Sequence, residues 1–521
     1  MARFTLGRRA GMLLPLSSAR GPRGDLATFA DAPAIARFLS SAGCSMWQLL
    51  PLNEISPGQD SPYAASSSYA LEPLYIDLDQ VVEHAGDDAL TEEEKKLLEG
   101  HRAAARVEFS VVRAVKRAAL TRAFAKFKSH ADGAEADRLR DFAAFRERHK
   151  SWLVDFTLYR ALHERRQTSW RTWEPPLRDR VPAALDKARS ELALAMEEIA
   201  WMQWIADAQW RKARAECNAL GVVIVGDLPF MCAEDSADVW SMQRYFRFDA
   251  TVGVPPDAYS ADGQDWGLPV PRWYEMRDAG DPWLSPRSAR ATELYDAFRV
   301  DHVVGLYRTY ARPNAVNGVR GAPFFTPVTE REWLEQGARI LTLLGSRAQV
   351  IAEDLGTVPD SVRVSLAELG LPGTKVLRWE SDQGHPRDVR RFPTISLSVT
   401  GTHDSEAMAT WWEALPDWER RLQLTQPELR VLNNESAHRF TAKTRDALLL
   451  LAYNSSSDAL LVPITDALGW HDRMNTPGTV GLWNWTWRLP WRLGGELENA
   501  PEILAMIANL RGLAQRSGRI R

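Results

Sequence analysis

Short apolar runs recur along the chain and alternate with segments of helical periodicity, and this pattern constrains the fold more than any other feature. Eight such runs begin near residues 11, 45, 221, 298, 348, 373, 395 and 459. Most of them are continuously apolar, as strands buried on both faces of a parallel sheet are. The alternation and the count of eight predict an α/β protein built on a (β/α)8 TIM barrel with long loops.

The composition changes between the second run and the third. From residue 81 to residue 219 the chain is rich in Ala, Arg, Glu and Lys, and helical periodicity is present at 120–127, 142–162 and 191–210. We therefore divide the chain into a first part of the barrel at 1–80, a largely helical insertion at 81–219 and the remainder of the barrel at 220–521. The tryptophans of the insertion are interpreted as helix packing.

Acidic residues stand at or near the ends of four apolar runs. They are Asp227, Asp301, Glu353 and Asp404. Because the active site of a TIM barrel lies at the carboxyl ends of its strands, these four are candidate site residues. The alternative is that all four are loop or ion-pair carboxylates, which is harder to sustain for four residues than for one.

Arg299 and Asp301 lie two residues apart in the run AFRVDHVVGL, which begins at residue 297. Residues i and i+2 of a strand share a face, so the guanidinium stands beside the carboxylate and keeps it ionised. An ionised and oriented carboxylate is what nucleophilic attack on a sugar carbon requires. Taken alone, the stretch is equally compatible with a buried structural ion pair.

Composition excludes several classes of function. The net charge of −4 means that the chain has no overall positive charge to attract nucleic acid, so this class of partner is not expected. Three cysteines without a C-x-x-C motif provide neither a disulfide framework nor zinc spacing, and they fit a reducing compartment. The apolar stretch after Arg8 and Arg9 is too short for a secretory signal, and no run approaches the roughly 18 apolar residues of a membrane span. We expect a cytoplasmic protein that binds neither nucleic acid nor membrane.

Carboxylates gathered at a barrel mouth suit two classes of chemistry. One is the transfer or hydrolysis of glycosyl groups, and the other is metal-dependent hydrolysis. The first apolar run carries no His-x-His pair and the chain has only 10 histidines, so a metal site is disfavoured. A G-x-S-x-G nucleophile elbow and a phosphate-binding G-x-x-x-x-G-K-[ST] motif are also missing. We expect no metal and no cofactor.

Four stretches resemble the four sequence blocks of α-amylase-type enzymes: GDLPF at 226–230, FRVDH at 298–302, IAEDLG at 351–356 and TGTHD at 400–404. Supporting stretches include SPYAASSSYALEPLYIDL at 61–78 and DRMNTPGTVGLWNW at 472–485. Together they are similar to the 4-α-glucanotransferase family, which comprises amylomaltase and disproportionating enzyme (glycoside hydrolase family 77). The resemblance runs from about residue 11 to residue 490. Within it, the insertion matches the family only in its position and in its helix-forming composition.

The resemblance implies a role for each matching residue. Asp301 would be the nucleophile that forms a β-glucosyl–enzyme intermediate, Glu353 the general acid/base, and Asp404 the residue that binds sugar hydroxyls and stabilises the transition state. The implied mechanism is retaining. The other implied substrate-binding residues are Arg299, His302, His403, Tyr63, Asp227, Asp257, Trp266 and Asn475.

The resemblance also implies a function and its partners. The chain would move α-1,4-linked segments from a maltooligosaccharide, starch or glycogen-type donor to a glucose or maltooligosaccharide acceptor, as a monomer or a homodimer. An α-glucan hydrolase on the same barrel is the nearest alternative, because it would share the covalent intermediate. An inactive glucan-binding protein is a further alternative, although such a protein has no need for Asp301, Glu353, Asp404 and Arg299 together.

The sequence departs from the family pattern around the carboxylates. Val303 and Val304 stand where the family usually has Phe-Arg, so a cation is missing near the implied nucleophile. The loop at 244–253 looks shorter than usual, and the stretch at 307–325 lacks the family's tryptophan pattern. We expect altered outer subsites, and with them an altered acceptor preference and ratio of transfer to hydrolysis, around unchanged reacting carboxylates.

Overall fold

Eight parallel strands close into a barrel in the computed structural model, which describes residues 6–84, 89–129, 135–256, 262–432 and 438–520. In chain order the barrel strands are β1 (Arg9–Leu13), β2 (Met46–Gln48), β3 (Val223–Leu228), β6 (Ala297–Val300), β9 (Gln349–Ala352), β10 (Gly373–Val376), β13 (Ser396–Val399) and β14 (Ala459–Pro463). The remaining described strands are β4 (Phe246–Val254), β5 (Gln264–Pro271), β7 (Thr309–Pro313), β8 (Phe324–Thr326), β11 (Ser381–Asp382) and β12 (His385–Pro386).

The predicted (β/α)8 barrel is confirmed, and each barrel strand begins within two residues of its predicted start. The apolar runs are continuous because both faces of each strand are buried. Inward-facing side chains fill the barrel with a small core of their own, which includes Met46, Val225, Ile351 and Leu461. Gly11 allows β1 and β2 to approach each other, since a Cβ at this position would lie 2.5 Å from the Met46 carbonyl oxygen.

Helices surround the barrel on its outer face. In chain order the described α-helices are α1 (Ala32–Ser41), α2 (Glu92–Ala103), α3 (Phe109–Ser129), α4 (Glu135–Arg148), α5 (Lys150–Arg166), α6 (Pro175–Arg178), α7 (Pro182–Glu191), α8 (Ala193–Ala219), α9 (Ala237–Ser241), α10 (Trp273–Asp278), α11 (Leu284–Leu294), α12 (Val304–Tyr307), α13 (Glu330–Leu344), α14 (Asp360–Glu368), α15 (Met408–Ala414), α16 (Asp417–Gln423), α17 (Ala442–Tyr453), α18 (Ile464–Leu468), α19 (Glu496–Asn499) and α20 (Pro501–Arg516).

Helices α2–α8 lie between β2 and β3, where the fold prediction places a largely helical insertion. The longest of them, α8, joins the insertion to the barrel, because Trp210 on α8 is fully buried and its indole donates a hydrogen bond to the Leu294 carbonyl at 2.9 Å. The periodic segment at 142–162 is divided between α4 and α5 at His149, whose ring accepts a hydrogen bond from the Trp152 indole at 3.3 Å. The proposed domain boundaries themselves stay predictions.

A four-stranded antiparallel sheet, in the order β5–β4–β7–β8, is inserted beside the barrel. The interpretation of 244–253 as a loop is wrong, because β4 occupies most of this stretch. β4 is extended because it pairs with the next strand, β5, along one edge and with the more distant β7 along the other. Among the described residues no helix combines the length and the apolar character needed to span a membrane.

Candidate active site

Three of the four candidate carboxylates stand on adjacent barrel strands. β3, β6 and β9 are neighbours, and their register pairs Asp227 with Arg299 and Arg299 with Ile351. Asp301 and Glu353 directly follow the last residues of β6 and β9. Because the strands are parallel, all three carboxylates emerge at the same end of the barrel.

One guanidinium group holds these three carboxylates together. Nη1 of Arg299 lies 2.9 Å from both carboxylate oxygens of Asp227, and Nη2 lies 2.8 Å from Oδ1 of Asp301 and 3.7 Å from Oε2 of Glu353. Burial lowers the pKa of Arg299, but the charges of Asp227 and Asp301 outweigh burial and raise this pKa well above its usual value. The cation is therefore permanent and fixed, as the i, i+2 spacing predicted.

Glu353 is buried, whereas the Asp301 side chain is 26% exposed. Burial raises the pKa of Glu353 to about 8, because it outweighs the lowering effect of the Arg299 charge, and the charge of Asp301 adds a smaller increase. Two backbone amides fix its orientation: the N–H of His302 donates to Oε2 at 2.7 Å and the N–H of Leu355 donates to Oε1 at 2.9 Å. The site thus pairs a reachable carboxylate with a buried carboxyl that is protonated near neutral pH.

His302 adopts a left-handed backbone conformation with φ of 44°, which a residue outside glycine takes only when its surroundings enforce it. This turn directs the His302 N–H toward Glu353. The His302 ring lies edge-on to Trp266, with ring centroids 4.8 Å apart, and it also contacts Phe230 at 5.6 Å. Burial lowers the pKa of His302 to about 4, so its ring is neutral.

Asp404 lies beyond the end of β13 in a second polar cluster with Tyr63, His403 and Asn475. The Asn475 side-chain amide donates to Oδ1 of Asp404 at 2.7 Å, and Nε2 of His403 lies 3.3 Å from Oδ2. Partial burial raises the pKa of Asp404, but the charge of His403 and these hydrogen bonds lower it to about 2. The Tyr63 hydroxyl donates to Asp227 at 2.8 Å and lies 3.0 Å from Nε2 of His403, which connects the two clusters.

The structure therefore brings together all of the predicted site residues that it describes. Asp257 lies outside the described residues. Val303 and Val304 are buried, and α12 begins at Val304, so apolar packing occupies the positions that follow the Asp-His pair.

The family model for 4-alpha-glucanotransferase matches residues 14–493 of the chain. The chain belongs to the 4-alpha-glucanotransferase family. It is 34% identical to the 4-alpha-glucanotransferase of Thermus thermophilus, over 99% of this chain and 100% of the relative. It is 31% identical to the chloroplastic/amyloplastic 4-alpha-glucanotransferase of Solanum tuberosum, over 96% of this chain and 87% of the relative.

A solved structure has the same fold as this family member. It is the amylomaltase from Streptococcus agalactiae in complex with acarbose, with a TM-score of 0.82 and 24% sequence identity over 99% of this chain and 100% of that chain. Members of the family are glycosyl-transferring enzymes, so this chain is an enzyme of that class.

Sequence reasoning missed two residues that contact the cluster around Asp404. The Trp485 ring lies 5.6 Å from Tyr63 and 5.8 Å from His403. Arg473 donates hydrogen bonds to the backbone carbonyls of Asp404 and Asn475. The stretch DRMNTPGTVGLWNW contains both residues, but its sequence does not show which of its side chains face the barrel mouth.

Replacing Asn475 by Ala is expected to lower kcat/KM on maltotriose about 10- to 100-fold, because a hydrogen bond to a charged group contributes about 1.5–3 kcal/mol. Loss of this donor also raises the pKa of Asp404 from its value of about 2, so activity should begin to fall at a higher pH on the acid side. A pH profile of kcat/KM for both proteins measures the two effects. An unchanged profile would show that Asn475 does not support the charge of Asp404.

Proposed function

We propose that this enzyme transfers α-1,4-linked glucan segments between maltooligosaccharides by a retaining double displacement. Asp301 is the nucleophile, Glu353 is the general acid/base, and Asp404 binds sugar hydroxyls and stabilises the transition state. The observation that carries the proposal is the Arg299 guanidinium, which pairs with Asp301 at 2.8 Å and lies beside a Glu353 carboxyl whose pKa is about 8. Two carboxyl groups with different environments are suited to the two different tasks.

The positions of the two carboxyl groups favour retention. Oδ1 of Asp301 and Oε2 of Glu353 lie 2.8 and 3.7 Å from the same nitrogen of Arg299. These oxygens therefore cannot lie farther apart than the lower end of the roughly 6.5–9.5 Å range that inverting glycosidases need for a water molecule between their carboxyl groups. The shorter separation suits direct attack by Asp301 on the sugar.

The reaction has two steps. Glu353 donates its proton to the glycosidic oxygen while Asp301 attacks C1, so that the glycosidic bond breaks and a glucosyl–Asp301 ester forms. The acceptor hydroxyl then gives its proton to Glu353 and attacks C1, which breaks the ester and restores both carboxyl groups. Asp404, whose pKa of about 2 keeps it ionised, faces the positive charge that develops on the ring.

Aromatic side chains around the two clusters favour transfer over hydrolysis. Trp266 and Phe230 pack against His302, and Trp485 packs against Tyr63 and His403. Trp266 and Trp485 are partly exposed and offer flat apolar faces for an acceptor sugar, and the rings together limit the access of water to the intermediate. Val303 and Val304 are apolar where the family pattern has Phe-Arg, so the acceptor side lacks one cation. This change should alter the acceptor preference and leave the reacting groups as they are.

Incubation with maltotriose alone is expected to yield glucose together with maltopentaose and longer chains, because an acceptor sugar outcompetes water at the intermediate. Chromatographic separation of the products by chain length measures this outcome. Glucose and maltose with no longer product would support the hydrolase alternative. An absence of any product with maltotriose and with longer donors would support the inactive glucan-binding alternative.

We also propose that the enzyme is cytoplasmic, that it acts as a monomer or a homodimer, and that 1–80, 81–219 and 220–521 are its structural parts. These three statements stay predictions. Their tests are fractionation of the producing cell, light scattering of the purified protein and limited proteolysis.

A further inference from the structure

The loop that carries Asp404 joins β13 to α15 and spans residues 400–407; we call it the Asp404 loop. In the barrel, β13 lies between β10 and β14, and each of these neighbours is followed by a buried charged side chain that contacts the loop. Arg378 lies two residues after β10, and Asp466 lies on α18, three residues after β14. Neither side chain takes part in the proposed two-step reaction.

Asp466 connects the two ends of the Asp404 loop. Its Oδ2 accepts a hydrogen bond from the Thr400 hydroxyl at 2.6 Å, and its Oδ1 accepts one from the backbone N–H of Met408 at 2.7 Å. Thr400 directly follows β13, and Met408 is the first residue of α15. One buried side chain therefore fixes both the point where the chain leaves the barrel and the point where it enters the next helix.

Arg378 holds the middle of the same loop. Its Nη2 donates to the carbonyl oxygen of Glu406 at 2.9 Å and to Oγ of Ser405 at 3.2 Å. Ser405 directly follows Asp404 in the chain, and its hydroxyl accepts a hydrogen bond from the backbone N–H of Thr402 at 2.9 Å. The guanidinium thus fixes a tight turn immediately beside the Asp404 carboxylate.

The two side chains come together at Gly401. A Cβ at this position would lie 2.6 Å from Nη2 of Arg378, 2.8 Å from Oγ of Ser405 and 3.2 Å from Oδ2 of Asp466. These three polar groups therefore pack directly against the backbone of the Asp404 loop and leave no room for a side chain. Burial raises the pKa of Asp466, and the positive charge of Arg378 opposes this increase, so the two groups support each other.

We propose that Asp466 and Arg378 are positioning residues for Asp404. They hold the Asp404 loop from the two strands that flank β13, so that the carboxylate stays aligned with the sugar ring in the transition state. Asn475 fixes the carboxylate itself, whereas Asp466 and Arg378 fix the backbone that carries it. This inference rests on the role of Asp404 in the proposed function. Such alignment matters because a displacement of about 1 Å can lower a rate about 100-fold.

Thr400→Val tests the contact with Asp466, because it removes the hydroxyl and keeps the shape of the side chain. Release of fluoride from α-maltosyl fluoride, with maltose as acceptor, measures kcat and KM. We expect kcat to fall about 10-fold and KM to change less than about twofold, since the lost hydrogen bond is to a charged group. Thr400→Ser keeps the hydroxyl and should restore native kcat. The matched control is Thr157→Val, because Thr157 on α5 is equally buried and its hydroxyl donates within its own helix.

The same assay tests the two charged side chains. Asp466→Ala should lower kcat about 100-fold because it removes two hydrogen bonds, and Arg378→Met should lower kcat about 10-fold. If Asp466→Ala does not fold, Thr400→Val and Arg378→Met still decide the question. Native kcat in both of these variants would overturn the proposal.

A double-mutant cycle separates positioning from a general loss of stability. Because the contact acts through Asp404, Thr400→Val should lower kcat less than about twofold when Asp404 is already replaced by Asn. A merely structural role would lower kcat by the same factor in both backgrounds, and this additivity would overturn the proposal. Failure of the proposed function has a different outcome, since Asp404→Asn alone would then keep native activity, and the positioning role would fall with it.

Discussion

Replacing Asp301 by Asn is expected to lower turnover on maltotriose by about four to six orders of magnitude, as the loss of a covalent nucleophile does in other enzymes. The amide has neither the charge nor the nucleophilicity to form the glucosyl ester. Product chromatography under single-turnover and long-incubation conditions measures both the native and the residual rate. KM should change far less than kcat, because Tyr63, Asp404 and Asn475 still line the mouth.

The loss must reflect chemistry and not unfolding. Arg299 keeps both of its 2.9 Å contacts with Asp227 in this variant, so the buried cation remains paired. The thermal midpoint should therefore lie within a few degrees of the native value. Asp360→Asn is the matched control, because this fully exposed aspartate at the start of α14 undergoes the same chemical change away from Arg299. Activity within tenfold of native in Asp301→Asn would exclude Asp301 as the nucleophile.

A shortened side chain at the same position identifies the role more directly. In Asp301→Gly the space beside C1 becomes available to a small anion, and azide can attack an α-glucosyl fluoride from the face that Asp301 would have used. The expected product is the β-glucosyl azide, whose anomeric configuration is read by nuclear magnetic resonance. An α-azide, or no azide product, would assign the attack to another group.

The barrel could be predicted from the sequence because its signal is local. Each strand is a short apolar run, and the count of eight with helices between the runs allows few other architectures. β4 and β7 escaped prediction because they pair with each other across the intervening barrel strand β6, and a strand outside the barrel core carries little signal of its own. The division of 142–162 at His149 was missed for a different reason, since apolar periodicity continues across the break.

The same distinction applies to the site. Asp227, Arg299, Asp301 and Glu353 could be predicted together because they stand on neighbouring parallel strands, whose ends necessarily meet. The cluster around Asp404 depends on loops that return from distant parts of the chain. Tyr63 and Asn475 were found only through resemblance to a family, and Trp485 was not recognised as a neighbour of His403. How far the pKa of Glu353 is raised could not be predicted, because burial sets it.

Replacing Glu353 by Gln is expected to lower kcat/KM on maltotriose about 10²- to 10⁴-fold, the usual contribution of a general acid/base. Gln occupies nearly the same volume but cannot donate a proton to the glycosidic oxygen. An α-glucosyl fluoride needs no such proton for its leaving group, so formation of the glucosyl ester should survive in the variant. The second step still lacks its base, and the glucosyl–Asp301 ester should accumulate as a mass increase in the intact protein.

Azide should release that ester, because an anionic nucleophile needs no base, and the product should be the α-glucosyl azide. This is the opposite anomer to the one expected from Asp301→Gly, so the pair of variants separates nucleophile from acid/base without relying on rates. The pH profile provides a second criterion. The native kcat/KM should decline as pH rises through about 8, where Glu353 loses the proton that burial has kept on it. That alkaline decline should be missing when the native enzyme is assayed with the fluoride donor, whose leaving group needs no proton, and its persistence there would mean that the decline does not report the general acid.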